Sequence, residues 1–201
     1  MEQYLGARPI AEPLHLYDCV MPCAGAEGFL VMSIDRAVAL GLPYAEIAGA
    51  AERHNAYHDD AIQFRGGWLD YRDALFEAAG CGHADIDLLQ SYDDYPVITL
   101  LQMEDLGFCD KGAAAEFIRN TPLTWDGGGL PHNTSGGQLS LGQAGAAGGF
   151  LGLVEAIRQL THDNLPNQVA GARRALVSGY GMVNYDRCLC TSAAILQRGQ
   201  R

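Results

Sequence analysis

Lysine is almost absent from this chain. Lys111 is the only one among 201 residues, and the formal net charge is −11. Proteins that bind nucleic acid neutralise phosphates with clustered lysine and arginine, so we predict no nucleic-acid partner. Long apolar runs are also lacking, because no stretch approaches the roughly 18 continuous apolar residues of a membrane-spanning helix. No basic segment followed by an apolar one opens the sequence, and we expect a cytoplasmic protein with no membrane span.

Cysteine pairs with the spacing of a zinc site are lacking as well. Cys19 and Cys23, like Cys188 and Cys190, do not have the two-residue spacer that is typical of structural zinc sites. In a cytoplasmic chain all six cysteines should be reduced, so we predict buried, inert thiols and no metal site. Residues 54–60 contain histidines and acids without a helical i, i+4 register, which favours a solvated loop over a metal site.

Glycine is abundant instead, with 25 residues in the chain against an average share of about 7%. The content of apolar residues (48%) and charged residues (18%) excludes a disordered chain and supports a globular unit. The glycines are concentrated in residues 130–149, where we predict a strand end, a glycine hairpin and the start of a helix lined by small residues. Such a run brings backbone close to a ligand or to another backbone, which indicates a candidate site or a tight packing seam.

Hydrophobic patterns alternate between strands and helices along the chain. We predict strands over residues 24–34, 44–56, 86–90, 175–180 and 188–196, and helices over 35–40, 70–79, 97–106 and 143–160. In the last helix, Leu151, Val154 and Ile157 should form the apolar face. Strands that alternate with helices are typical of an α/β layered domain with a mixed sheet.

Polar residues follow the predicted strand 86–90. They lie in the run Gln-Ser-Tyr-Asp-Asp-Tyr-Pro, residues 90–96, before the next helix. Open α/β sheets bind ligands at the carboxyl ends of their strands and beside helix N-termini, so this run is a second candidate site. We predict that Asp93 or Asp94 caps the helix that follows. Helix capping accounts for the aspartates but gives no role to Tyr92, so Tyr92 is a candidate functional side chain.

Four segments resemble the C-terminal half of thiolases of the sterol-carrier-protein branch, and they follow one another in the family's order and spacing. Residues 18–26 are similar to that branch's strand lead-in, and residues 104–109 (Glu-Asp-Leu-Gly-Phe-Cys) resemble its E-A-L-G-L-C. The run 92–95 (Tyr-Asp-Asp-Tyr) is similar to the family's Asn-Glu-Ala-Phe or His-Asp-Cys-Phe, whose first residue belongs to the active site. Residues 133–137 resemble N-x-S-G-G, and Gln143 stands where the family has the histidine of its G-H-P motif.

This resemblance implies a thiolase-like layered α/β fold, with a five-stranded mixed sheet covered by helices. Residues 1–43 would form the last strand and helix of a thiolase N-terminal domain, and residues 44–201 the C-terminal domain. The resemblance also implies a coenzyme A thioester as substrate, with no bound cofactor. The family's nucleophilic cysteine lies in the N-terminal half. Because that half normally supplies the partner sheet and the dimer interface, we expect either a homo-oligomer or a partner subunit that supplies it.

Two departures from the family pattern bear on the reaction. Gln143 replaces the active-site histidine, and Val177 occupies the place of the second catalytic cysteine of the C-x-G-G-G motif. Neither side chain exchanges a proton near neutral pH, so the covalent thiolase route is closed to this chain alone. Cys188 and Cys190 lie beyond the motif and do not replace the missing cysteine.

Two functions of different classes therefore remain. In the first, the chain takes part in acyl-CoA carbon–carbon chemistry, as an acyltransferase or as a retro-aldol lyase on a β-keto- or β-hydroxyacyl-CoA, with Tyr92 and Gln143 as catalytic residues. A phenol would need a lowered pKa to act as a base. The substrate-binding positions that the resemblance implies are Asn133, Ser135, Gly136, Gly137, Ser178 and Gly179. In the second, the chain is a non-catalytic thiolase-like subunit or an acyl-CoA- or lipid-binding fragment.

Overall fold

The computed structural model describes residues 2–184 and 187–200 of the chain. The helices are α1 (Glu2–Leu5), α2 (Ile34–Ala39), α3 (Trp68–Ala78), α4 (Pro96–Asp105), α5 (Ala114–Asn120), α6 (Gly137–Leu141) and α7 (Leu151–Thr161). The strands are β1 (Pro9–Ala11), β2 (Leu14–His15), β3 (Ala45–His54), β4 (Leu88–Ser91), β5 (Arg174–Asn184) and β6 (Arg187–Arg198). None of the helices in these residues combines the length and the apolar composition needed to cross a membrane.

The main sheet is mixed, as predicted. Within the described residues it has four strands in the order β3-β6-β5-β4, and β1 pairs separately with β2. Strand β4 runs parallel to β5, whereas β6 is antiparallel to both of its neighbours. This is one strand fewer than predicted. At the outer edge of β4 there is a single parallel bridge between Leu89 and His132, and pairing ends there because Asn133 leaves the extended region with φ 44°.

Both faces of the sheet are covered. Leu89 and Leu176 enter a hydrophobic cluster with residues of α3 and α4, whereas their neighbours Leu88 and Ala175 enter a second cluster with residues of α7. Successive side chains of a strand point to opposite faces, so β4 and β5 contribute to both clusters. This is why β4 is fully buried and has a continuous apolar start rather than an alternating pattern.

Most predicted elements lie within a few residues of their observed places. The prediction is confirmed for the strands β3, β4, β5 and β6 and for the helices α2, α3 and α4. The predicted turn between the last two strands includes residues 185 and 186, which lie outside the described residues. The predicted helix 143–160 is only partly right, since residues 145–150 form a 3-10 segment before α7 begins. Three of those six residues are glycine, which disfavours the α-helix.

The buried face of α7 differs from the predicted one. Glu155 and Gln159 are buried beside Ala156 and Leu160, because hydrogen bonds satisfy their polar groups. The Glu155 carboxylate accepts from Thr134 Oγ1 at 2.7 Å and from Gln159 Nε2 at 3.0 Å. A buried polar group is tolerated when it is hydrogen-bonded in this way. The predicted apolar residues 151, 154 and 157 are therefore only half-buried.

The predicted buried strand over residues 24–34 is wrong. Residues 24–33 have no regular secondary structure, and Leu30 and Val31 are 82% and 81% exposed. A strand needs a neighbour for its backbone hydrogen bonds, and the described residues do not provide one here. Residues 28–34 instead form one wall of an apolar groove of about 690 Å³, which they share with residues 42–47 and with α7.

Candidate functional site

The end of β4 fixes the backbone of Tyr92 beside β5. The Tyr92 amide donates to the Ser178 carbonyl at 3.1 Å, which continues the β4–β5 pairing. Gln102, fully buried on α4, joins the two residues a second time. Its Nε2 donates to the Tyr92 carbonyl at 2.7 Å, and its Oε1 accepts from Ser178 Oγ at 2.6 Å. Sequence reasoning missed Gln102, whose signal was an amide inside an otherwise apolar helix.

The structure brings the two predicted catalytic residues into direct contact. Gln143 Nε2 donates to Tyr92 Oη at 2.6 Å, although 51 residues separate them. The backbone of Gln143 is held by the N-terminal segment, since its N–H donates to Met21 O at 2.8 Å and its carbonyl accepts from Cys23 N at 3.0 Å. The backbone of Gln143 is thus held on both sides, and the hydrogen bond to Tyr92 Oη holds its side chain. Tyr92 and Gln143 therefore form a preorganised pair.

Asp93 caps a helix, but not the predicted one. Asp93 Oδ1 accepts from the Gln138 N–H at 2.7 Å, in the first turn of α6. Gly137 makes this possible, because a Cβ at that position would overlap the Asp93 carboxylate. The first residue of α4 is Pro96, which has no N–H to satisfy, so α4 depends less on a capping side chain. Among the described residues, none caps α4 through its side chain.

Asn133 is occupied by the protein's own backbone. Its Oδ1 accepts from the Ser91 N–H at 2.9 Å, and its Nδ2 donates to the Ser91 carbonyl at 3.0 Å. The side chain thus replaces a strand neighbour at the end of β4. Gly136, with φ 95°, turns the chain directly before α6, a conformation that glycine adopts without strain.

Two spaces adjoin the Tyr92 segment. The first is a cavity of about 20 Å³ bordered by Tyr92, Ser135, Gly137 and Ser178, which is room for about one water molecule. The second is an open groove of about 410 Å³ on the neighbouring face of β5. We name it the β5 groove; its lining includes Phe150, Leu153, Val177, Ser178, Gly179, Ser192 and Glu52. Of the predicted substrate positions, Asn133, Ser135, Gly137 and Ser178 line the small cavity, and Ser178 and Gly179 line the β5 groove.

Burial and charge keep the Tyr92 phenol neutral. Burial, and next the nearby Asp94 carboxylate, together raise the pKa of Tyr92 to about 12. This is opposite to the direction that a phenolate base would need. Burial also raises the pKa of Asp94, whose Oδ1 has no hydrogen-bond partner among residues 2–184 and 187–200. A neutral phenol, that of Tyr92, therefore lies beside the Asp94 carboxyl group, one of whose oxygens has no hydrogen-bond partner among the described residues. The prediction that Asp93 or Asp94 caps a helix did not include this pairing.

No cysteine thiol among the residues that the structure describes replaces the second catalytic cysteine of the thiolases in this arrangement. Val177 pairs with Gln90 and Ala194 in the sheet, so an apolar side chain occupies the place of the second thiolase cysteine. All six cysteines are free thiols. Cys188 is buried, as predicted, but Cys23 is exposed and the other four are intermediate. The prediction of buried thiols is therefore right only in part.

Comparison with known proteins identifies the family. The sequence model described as "Thiolase C-terminal domain-like" matches residues 50–196. The chain belongs to this family. A solved structure of an Ltp2-ChsH2(DUF35) aldolase superposes with a TM-score of 0.81 at 30% identity, covering 100% of this chain and 51% of that one. The predicted thiolase-like fold is confirmed.

Curated relatives of this thiolase C-terminal domain include lyases and thiolases. The 17-hydroxy-3-oxo-4-pregnene-20-carboxyl-CoA lyase of Mycobacterium tuberculosis is 35% identical over 185 residues, which are 89% of this chain and 47% of the lyase. The benzoylsuccinyl-CoA thiolase subunit BbsB of Thauera aromatica is 28% identical over 200 residues, which are 94% of this chain and 52% of that subunit. Sterol carrier protein 2 of Rattus norvegicus is 25% identical over 190 residues, 90% of this chain and 35% of that protein. The predicted resemblance to the sterol-carrier-protein branch is confirmed, and the chain spans about half the length of the first relatives it matches.

Proposed function

We propose that the chain is part of a carbon–carbon lyase that cleaves a β-hydroxyacyl-CoA by a retro-aldol reaction. The observation that carries this proposal is the 2.6 Å contact between Gln143 Nε2 and Tyr92 Oη. A phenol and an amide stand at two active-site positions of the thiolase family, where the phenol can move a proton and the amide can donate a hydrogen bond, but neither supports a covalent acyl-enzyme. The lyase and aldolase names of similar proteins support the same reaction class.

Tyr92 and Asp94 act together in the proposed proton transfer. The substrate's β-hydroxyl proton moves to Tyr92 Oη while the phenol's own proton moves to the neighbouring Asp94 carboxylate. The Cα–Cβ bond then breaks, a carbonyl forms at Cβ, and the electron pair passes to the thioester as an enolate that later takes a proton at Cα. Gln143 Nε2 donates to the Tyr92 oxygen, which leaves the phenolic O–H free to point at Asp94. A relay of this kind needs no phenolate at rest.

The substrate would enter through the β5 groove rather than through the closed cavity. The groove has about 410 Å³ of space and a mainly apolar lining that includes Val177 and Gly179, which suits an acyl chain. Ser178 borders both spaces. In this proposal Asn133, Ser135 and Gly137 line the small cavity beside Tyr92, and Gly136 turns the chain that carries them. The proposed substrate is a coenzyme A thioester, with no further cofactor.

The remainder of a thiolase fold would cover the exposed N-terminal segment. Residues 1–43 would then belong to the N-terminal thiolase domain, and residues 44–201 to the C-terminal domain. Leu30, Val31 and Ile47 are each more than 60% exposed around one groove, and contiguous apolar patches of this kind mark interaction sites. We propose that residues 28–33 become a strand when the sheet of an N-terminal half pairs with them. The proposed partner is either a second copy of this chain or a subunit that carries a thiolase N-terminal half.

The test of the reaction class uses the chain assembled with a thiolase N-terminal half. Two substrates are compared: a β-hydroxyacyl-CoA, and acetoacetyl-CoA with free coenzyme A. The proposal expects carbon–carbon cleavage of the first and no thiolysis of the second, since Val177 and Gln143 replace the residues that thiolysis requires. Thiolysis without retro-aldol cleavage would contradict it.

Two observations favour a second candidate function, a non-catalytic subunit that binds acyl-CoA or lipid. The cavity beside Tyr92 holds only about 20 Å³, and the phenol is neutral. If the assembled protein binds an acyl-CoA in equilibrium dialysis but converts neither substrate, this second function replaces the lyase.

A further inference from the structure

Three metal-binding side chains converge on the outer pair of strands, β3 and β6. Glu52 and His54 are two residues apart on β3, so they project from the same face. In the antiparallel register Cys190 of β6 lies directly opposite His54, which brings the thiol to that face as well. The residue between them, Arg53, turns to the other side and pairs with Asp70 at 3.1 Å.

Two of the three distances within this cluster are close to those of a tetrahedral zinc site. Cys190 Sγ lies 3.7 Å from His54 Nε2, and His54 Nε2 lies 3.5 Å from Glu52 Oε1. All three ligand atoms are within 4.8 Å of one another. With zinc–sulfur bonds of about 2.3 Å and zinc–nitrogen or zinc–oxygen bonds of about 2.0–2.2 Å, tetrahedral angles place such atoms roughly 3.4–3.6 Å apart. An ion could therefore fit among them with little movement.

We propose that Glu52, His54 and Cys190 form a binding site for a zinc ion. Thiolate, imidazole and carboxylate together suit zinc better than calcium or magnesium, which prefer oxygen ligands alone. The side chains of His54 and Glu52 are 60% and 69% exposed, so an ion can reach the site, and a water molecule would complete a four-coordinate shell. Neither of the cysteine pairs Cys19/Cys23 and Cys188/Cys190 forms this site. Its three ligands are brought together by the register of β3 and β6, not by their spacing along the chain.

The site would join the edge strand β3 to β6 beside the β5 groove. Glu52 and Ser192 both line that groove, and they are neighbours in the β3–β6 register. A bound ion would hold Glu52 toward Cys190 and fix the end of the groove. The proposal does not depend on lyase activity, because binding is measured on this chain without substrate.

The experiment titrates the reduced, metal-free chain with Zn²⁺ by calorimetry and with Co²⁺ by absorption spectroscopy. The expected result is one equivalent of metal, with a thiolate-to-cobalt charge-transfer band and the visible bands of tetrahedral cobalt. Cys190→Ser should abolish the charge-transfer band, and His54→Ala should weaken Zn²⁺ binding by at least about tenfold.

Cys23→Ser is the matched control, because Cys23 is an exposed thiol outside the cluster. It should bind both metals as the unaltered chain does. Circular dichroism of each variant checks the fold, and His54→Ala keeps the test decisive if Cys190→Ser unfolds. Absence of a thiolate band, or a band that survives in Cys190→Ser, would overturn the proposal.

Discussion

Replacing Gly137 by alanine should destabilise the chain by about 3–5 kcal/mol. Part of this is the left-handed backbone, with φ 65°, which costs about 1–2 kcal/mol for a residue with a Cβ. The rest comes from Asp93, whose carboxylate occupies the position of the new Cβ. When Asp93 moves, its 2.7 Å hydrogen bond from the Gln138 N–H is lost, and a bond to a charged group contributes about 1.5–3 kcal/mol.

Gly128→Ala is the matched control. Gly128 also has a positive φ, 73°, but a Cβ there would meet no atom within 4 Å in the described part of the chain. It should therefore show only the backbone cost of about 1–2 kcal/mol. Urea unfolding followed by circular dichroism measures both variants against the unaltered chain. Equal destabilisation by the two substitutions would refute the reasoning that Gly137 exists to admit Asp93.

Three further predictions concern protons and the exposed segment. Burial raises the pKa of Asp94 above its ordinary value, so cleavage by the assembled protein should fall as the pH drops through that raised pKa and the carboxylate is protonated. Asp94→Asn should lower turnover at least about 100-fold and remove this decrease at low pH. Burial lowers the pKa of His132 from 6.5 to about 4, so as the pH falls the unfolded chain binds a proton at His132 before the folded chain does. The free energy of unfolding should therefore fall between pH 6.5 and 4, by up to about 3 kcal/mol more than it does in His132→Gln. Serine at Leu30 and Val31 should reduce self-association or partner binding in light scattering without changing the unfolding midpoint, because both side chains are exposed; an unchanged assembly state would contradict the proposed interface.

Local patterns predicted most of the elements around the site. The strand before Tyr92 and the helix after it could be recognised because β4 is a short apolar run and α4 starts at a proline. The contact between Tyr92 and Gln143 followed only from the family resemblance, since no spacing rule links residues 51 positions apart. The 2.6 Å distance between Gln143 Nε2 and Tyr92 Oη depends on the N-terminal segment that holds the backbone of Gln143. No hydrophobic or turn pattern in that segment predicts this contact.

The failures have physical causes of three kinds. Residues 24–34 have the composition of a buried strand, but a strand also requires a neighbour, which the described residues do not supply. Asp93 was assigned to the nearest helix in sequence, whereas the turn at Gly136 and Gly137 brings α6 closer. The cluster of His54 and Cys190 is created by sheet register, which composition and spacing do not encode.

The most direct test of the central claim is the effect of Tyr92→Phe on retro-aldol cleavage of a β-hydroxyacyl-CoA by the assembled protein. Turnover should fall by at least about 100-fold with the melting temperature little changed, since the substitution removes only the group that transfers the proton. Tyr71→Phe, which removes a buried phenolic oxygen on α3, should keep full turnover. Full turnover in Tyr92→Phe would contradict the account and leave Tyr92 as a packing residue.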